Sequence, residues 1–160
     1  MAHHVVILCA ERTRRPTITE LCDEYLHRLK RYNIRATLEE CPRSRSSDVA
    51  HAVAEQSARV ERYLASDDWV VLLDERGTAL GSRQLAELLE RQLPVHRRIV
   101  FIIGGAYGVS ERVRQHADMV LSLGPLTLPH ELARVVLCEQ LYRAMTILRG
   151  EPYHHGSTDE

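Results

Sequence analysis

Among the 21 basic residues of this 160-residue chain, Lys30 is the only lysine. A phosphate loop of the Gly-Lys-Ser/Thr kind needs its lysine beside a glycine. Lys30 stands in Leu29-Lys30-Arg31, so P-loop nucleotide hydrolysis is excluded. No apolar run approaches the ~20 residues of a membrane-spanning helix. The opening residues reach Glu11 without a basic stretch and do not read as a secretory signal. A cytoplasmic protein with no membrane segment is expected. Cys9, Cys22, Cys41 and Cys138 form no Cys-x-x-Cys pair, which fits neither a zinc knuckle nor a disulfide framework, and no metal site is expected. Net charge is nearly absent as well: 21 basic against 22 acidic residues give −1. That balance argues against a protein that coats loose nucleic acid.

What is present is enough chain for one domain, 1–160, with a tail from residue 150 that either completes a site or stays partly disordered. Short apolar runs alternate with helical spacing, the pattern of βαβ units and a mostly parallel sheet flanked by helices. Strands are expected at Val5–Cys9, Ile34–Glu40, Trp69–Asp74, Ile99–Ile103 and Met119–Leu121. Thr17 and Glu20 have the spacing of a capping box, opening a helix whose inner face carries Leu21, Tyr25, Leu26, Leu29 and Tyr32. Residues 41–47 read as an exposed loop, followed by a helix burying Val49, Ala52, Val53, Val60 and Leu64. Glu75-Arg76-Gly77-Thr78 reads as a turn, and the next helix starts at Ser82 with Leu85, Leu88 and Leu89 inward. Ser110 is placed to cap a short helix, and a long amphipathic helix runs from about His130 to Leu148.

In open parallel sheets ligands bind beyond the carboxyl ends of the strands. Three segments there are unusual: the one after Leu73-Asp74, the cluster Gly104, Gly105 and Gly108, and Leu123–Leu128. The glycines allow positive φ and close backbone approach to a ligand, or they simply make a tight turn. Ala106 breaks the Gly-x-Gly-x-x-Gly pattern, which leaves a dinucleotide site poorly supported. The Leu123–Leu128 loop could grip an adenine through backbone groups and apolar walls, or it could be a buried connection. His130 reads as a helix-start histidine packed on the sheet or as a base. Tyr142 and Arg143 read as core plus solvated face. Tyr153-His154-His155 gives an otherwise polar tail an aromatic and imidazole pair.

Taken together, Leu72-Leu73-Asp74 with Gly77, Gln84-Leu85-Ala86, Ile103-Gly104-Gly105-Ala106-Tyr107-Gly108, Leu121–Leu123, Leu126-Thr127-Leu128-Pro129-His130, Arg134-Val135, Glu139–Ala144 and Pro152-Tyr153-His154 resemble the RlmH family of SPOUT-class ribosomal RNA methyltransferases. The resemblance covers essentially the whole chain and is most specific from Ile103 to His154. It implies an α/β domain with a C-terminal trefoil knot, a homodimer, and an S-adenosyl-L-methionine cofactor. It further implies methylation of N3 of a pseudouridine in large-subunit (23S) RNA within the assembled 70S ribosome. By position, the cofactor contacts implied are Leu73, Gly104, Gly105, Leu123, Gly124, Pro125, Leu126, Thr127 and Leu128.

N3 of pseudouridine must lose a proton to become a good nucleophile. His154 is the candidate base, Tyr153 and Tyr142 are candidate orienting or stacking groups, and Arg143 is a candidate stabiliser of the anion or clamp on a phosphate. A valine at Gly105 is expected to block cofactor binding without unfolding the chain. The family's tail commonly reads Tyr-His-Arg, whereas His155 stands in place of that arginine here and Gly156–Glu160 follow. A catalytically impaired, cofactor-binding ribosome-associated factor is therefore the alternative, and a doubly wound enzyme acting on a small metabolite is a third reading. Residues 1–45 hold nine basic and six acidic groups, leaving twelve and sixteen for the rest. Arg12, Arg14, Arg15, Arg43 and Arg45 are accordingly expected to form a modest basic rim around the cofactor pocket.

Overall fold

A computed structural model describes residues 2–155; Gly156–Glu160 of the tail lie outside the described residues. In chain order the elements are β1 (His3–Cys9), α1 (Pro16–Arg28), a 3-10 turn (Leu29–Tyr32), β2 (Ile34–Glu40), α2 (Val49–Tyr63), β3 (Asp68–Ala79), α3 (Ser82–Gln92), β4 (Arg98–Ile103), α4 (Glu111–His116), β5 (Met119–Ser122) and α5 (His130–Leu148). The five strands form one sheet in the order β2-β1-β4-β3-β5, every pairing parallel. The α/β architecture expected from the alternating pattern is the one observed.

Alternation along the central strands sorts the side chains into two cores, because successive residues of a strand point to opposite faces. Val5, Ile7, Cys9, Ile99, Phe101 and Ile103 pack with α1, α3 and α5. Val6, Leu8, Val70, Leu72, Val100 and Ile102 pack with Val60 of α2 and Val113 of α4. Both faces of the sheet are thus covered, which explains why β3 and β4 read as unbroken apolar runs. Among the described residues no helix is long and apolar enough to cross a membrane.

Several local expectations need correction. The capping box does not form: α1 begins at Pro16, its N-cap is Arg15, and no side chain of that end caps it. Glu131 of α5 does so instead, accepting hydrogen bonds from the Arg14 and Arg15 amides at 3.1 and 3.2 Å. The buried stripe of α1 is Ile18, Cys22 and Leu26, while Leu21 is exposed. On α2, Val49 is exposed and the buried residues are Gln56, Ser57 and Val60; Asp48 caps it, accepting from the His51 amide at 2.9 Å.

The turn expected at residues 75–78 lies inside β3. Leu73 and Thr78 both register with Leu121, so residues 74–77 bulge out of the ladder before the strand resumes. Gly77 is required there, since a β-carbon would come within 2.6 Å of the Val120 carbonyl oxygen. Ser110 caps α4 as expected, accepting from the Val113 amide at 3.4 Å.

Candidate active site

The bulge inside β3 and the segments that follow β4 and β5 line a cavity of about 380 Å³. Leu73, Gly104, Gly105, Leu123, Gly124, Leu126, Thr127 and Leu128 all line it, so three segments far apart in sequence meet as one wall. Pro125 belongs to the same loop and is not among the lining residues. Gly124 adopts φ 130°, a conformation that favours glycine. Ser122 fastens this turn by accepting from the Gly124 amide at 3.1 Å and donating to its carbonyl at 2.9 Å.

The bulge in β3 supplies the polar side of the cavity. Asp74 accepts hydrogen bonds from the Arg76 amide at 2.8 Å and from the Arg76 and Arg114 side chains. Burial opposes ionisation of Asp74, but these donors outweigh it and hold the carboxyl at about 2. Glu75 accepts from the Thr127 hydroxyl at 2.6 Å, joining the bulge to the Leu123–Leu128 loop. Gly108 lines the cavity with the rest of its glycine cluster, as do Asp74, Glu75 and Arg76, whose segment was singled out in the sequence without a role for any one side chain. The available signal was positional, since Asp74 follows an apolar strand at its carboxyl end.

His130 also lines the cavity, half on each of its two readings: it opens α5 and it faces the ligand space. Its Nδ1 lies 3.4 Å from Arg134 Nη2 and its Nε2 lies 3.6 Å from a Glu11 carboxylate oxygen. Arg134 can only donate, so the neutral ring carries its proton on Nε2, toward Glu11. Burial and the Arg134 charge push the imidazole below its ordinary value, against an opposing pull from Glu11. Behind the cavity, Gln56 donates to Glu11 at 2.9 Å. A β-carbon on Gly105 would come 2.8 Å from the Glu11 carboxyl carbon and 3.0 Å from Gln56 Oε1. The expectation that Gly105→Val acts only on ligand space is therefore corrected: the missing side chain makes room for a buried polar pair.

The tail residues gather elsewhere. Arg143 donates through Nε to both Glu139 oxygens at 3.0 and 3.1 Å, and its Nη1 lies 3.0 Å from His154 Nδ1. Tyr153 donates to Glu139 at 3.3 Å and stands edge-on to Tyr142 with ring centroids 4.7 Å apart. Burial, followed by the Glu139 charge, pushes the Tyr153 phenol up to about 12. Tyr142 is only 8% exposed and packs among Tyr25, Tyr32 and Tyr153, so it supports the cluster from below rather than offering a stacking surface. Arg143 can only donate, so His154 Nδ1 is the acceptor of their contact. Glu139 holds the group together and was missed; its i,i+4 spacing to Arg143 is the signal that could have found it.

Neither group touches the other. The cavity sits at the start of α5 and the tail cluster near its end, so His130 and Tyr142 are about 18 Å apart at 1.5 Å per residue. Among the described residues no cluster of His, Cys, Asp or Glu could hold a metal ion.

A three-layer α/β sheet with a ligand-sized cavity at the carboxyl ends of its strands defines a class of small-ligand-binding proteins. The comparisons narrow it. The family model described as "Predicted SPOUT methyltransferase" matches residues 3–154. The Ribosomal RNA large subunit methyltransferase H of Solidesulfovibrio magneticus is 44% identical, over 93% of this chain and 97% of its own. Proteins of the same name are 40% identical in Gemmatimonas aurantiaca and 38% in Syntrophotalea carbinolica, each over 94% of this chain and 98% of the relative. The chain belongs to the SPOUT methyltransferases and, within them, to the RlmH family.

Proposed function

We propose that the protein is an S-adenosyl-L-methionine-dependent methyltransferase that modifies N3 of a pseudouridine in large-subunit ribosomal RNA. The observation that carries this reading is the convergence of Leu73, Gly104 and the Leu123–Leu128 loop on one cavity, in a chain whose relatives are named large-subunit RNA methyltransferases. The cavity volume falls within the ~300–1,000 Å³ usual for small-molecule sites. Its lining fits the cofactor: leucines and loop backbone groups suit an adenine. Bound there, S-adenosyl-L-methionine would supply an electrophilic methyl group.

The chain's own residues align the acceptor and manage its charge. Arg143 has Nε and Nη1 engaged with Glu139 and His154, leaving Nη2 to face an oxygen of the deprotonated ring. Tyr153 keeps its phenol proton at pH 7, pushed up to about 12, and with it the hydrogen bond to Glu139 that holds Arg143 in place. Since Arg143 and the cavity lie at opposite ends of α5, one copy's tail cluster must work with another copy's cavity. Exposed apolar side chains near the cavity loops, Tyr107 at 69%, Leu126 at 77% and Leu132 at 47%, favour such a homodimer.

The reading extends to the trefoil threading. Tritiated methyl transfer to 70S ribosomes and to free large subunits tests the function; the expected result is incorporation into assembled ribosomes. No transfer to either substrate would sink it, and cofactor binding without turnover would favour the impaired ribosome-associated factor.

A further inference from the structure

We infer that the pocket between the loops following β1 and β2 and the outer side of α2 binds the phosphodiester backbone of RNA; the choice of RNA rests on the reading above. This pocket of about 480 Å³ is lined by Arg12, Pro42, Arg43, Arg45, Glu55 and Arg59. Four guanidinium groups therefore surround one carboxylate, and that carboxylate is already engaged. Glu55 accepts from Arg59 at 2.8 Å and from the Ser44 hydroxyl at 2.6 Å, while Arg59 also donates to the Pro42 carbonyl at 2.6 Å. These bonds fix the back wall. Arg12, Arg43 and Arg45 are exposed, and among the described residues none of the three has a hydrogen bond or ion pair.

Neighbouring carboxylates do not cancel this charge. Glu11 is turned inward to Gln56, Glu40 accepts from the Thr13 amide and lies 3.4 Å from Arg134, and Asp48 caps α2. An arginine fork matches two oxygens of a phosphate at once, and several such forks in an open pocket suit a polyanion better than a small metabolite. Arg14 and Arg15, by contrast, have their backbones held at Glu131 and do not line the pocket, so the basic rim expected from sequence resolves into one defined pocket with Arg59 added.

Position gives the pocket a purpose. Arg12 follows Glu11 and Glu55 precedes Gln56, and the Glu11–Gln56 pair abuts Gly105 of the cofactor cavity. Pocket and cavity therefore share one buried partition at the same end of the sheet. RNA offering a base toward the cavity would lay its backbone across the arginines. Such contacts position a strand without reading its sequence, leaving the choice of nucleotide to the site itself.

The test compares the full-length parent with Arg43→Ala/Arg45→Ala and Arg43→Lys/Arg45→Lys, using co-sedimentation with 70S ribosomes over a potassium chloride series and methyl-transfer kinetics. The alanine variant should keep its melting temperature and cofactor affinity, raise KM for ribosomes about tenfold with kcat little changed, and lose about 1.5–2 from the log–log salt slope. The lysine variant should keep most of the slope. An alanine variant with parental slope and KM overturns the inference, as does a parent that fails to bind ribosomes at any salt. A parent whose ribosome binding shows the slope yet transfers no methyl group supports the pocket and overturns the methyltransferase reading instead.

Discussion

At Gly105 the volume a side chain would need is occupied by the Glu11 and Gln56 side chains, 2.8–3.0 Å from where a β-carbon would stand. Even Gly105→Ala must push apart a buried hydrogen-bonded pair, a cost of about 1–3 kcal/mol for overpacking. Thermal unfolding should show it as a lower melting temperature before any change in cofactor affinity; an unchanged melting temperature would remove Glu11 and Gln56 from the explanation. The sequence pointed to the glycines and to a ligand, but the partner that makes Gly105 necessary lies 94 positions away in the chain and has no local signature. Asp74 carries a different kind of consequence. Its carboxyl is held at about 2 in the fold, below its unfolded value near 3.8. Its contribution to stability is therefore complete above pH ~4 and disappears as pH falls through about 2. Asp74→Asn should flatten that acid limb in urea titrations between pH 4 and 2, whereas an unchanged acid limb would mean the Arg76 and Arg114 bonds do not persist in solution.

At the scale of elements, α5 holds the amino-terminal segment in place twice. Glu131 caps α1, and Arg134, fully buried, donates to the Glu11 carbonyl at 2.7 Å and to the Thr13 hydroxyl. Glu131→Ala should cost ~1 kcal/mol, the usual size of a lost cap, while Thr17→Ala should stay within ~0.5 kcal/mol because its hydroxyl caps nothing. Chemical denaturation measures both, and the reverse ranking would restore the local capping box. Arg134→Met removes one partner of a buried charged network and should cost about 3–5 kcal/mol, visible as a large drop in the urea midpoint. Strand and helix order was legible because apolar periodicity is local. The α1 cap was not, because its donor and acceptor come from opposite ends of the chain. The bulge in β3 was half legible: Glu75-Arg76-Gly77-Thr78 looks like a turn, and only pairing with β5 shows that the strand resumes after it.

For the whole molecule, the separation of the cavity from the Arg143–Tyr153–His154 cluster turns the proposed dimer into a kinetic prediction. A cavity variant such as Leu123→Arg and a tail variant such as Arg143→Ala should each be inactive alone. Mixed and reassembled, they should recover about a quarter of parental activity, since half the dimers are hybrids with one intact pair of half-sites. No recovery on mixing, with hybrids verified by mass spectrometry, would show that each copy works alone. Resemblance had brought both groups of residues to one reaction, while the helix expected from about His130 to Leu148 already set His130 and Tyr142 about 18 Å apart. What the sequence did not show is that the Leu123–Leu128 loop gathers at one end of that helix and Tyr153 and His154 near the other.

That helix also constrains which length changes the family can tolerate. One residue added to α5 between Ala133 and Glu139 advances everything beyond it by about 1.5 Å and rotates it by about 100°, turning Arg143 and the tail away from their present heading. Loops such as 41–48 can lengthen at little cost. Within α5, the distance and the phase between the two proposed half-sites are counted in residues, and so is the register of Leu141, Ala144 and Met145 in the core, so a single-codon insertion there should abolish activity and lower the melting temperature together.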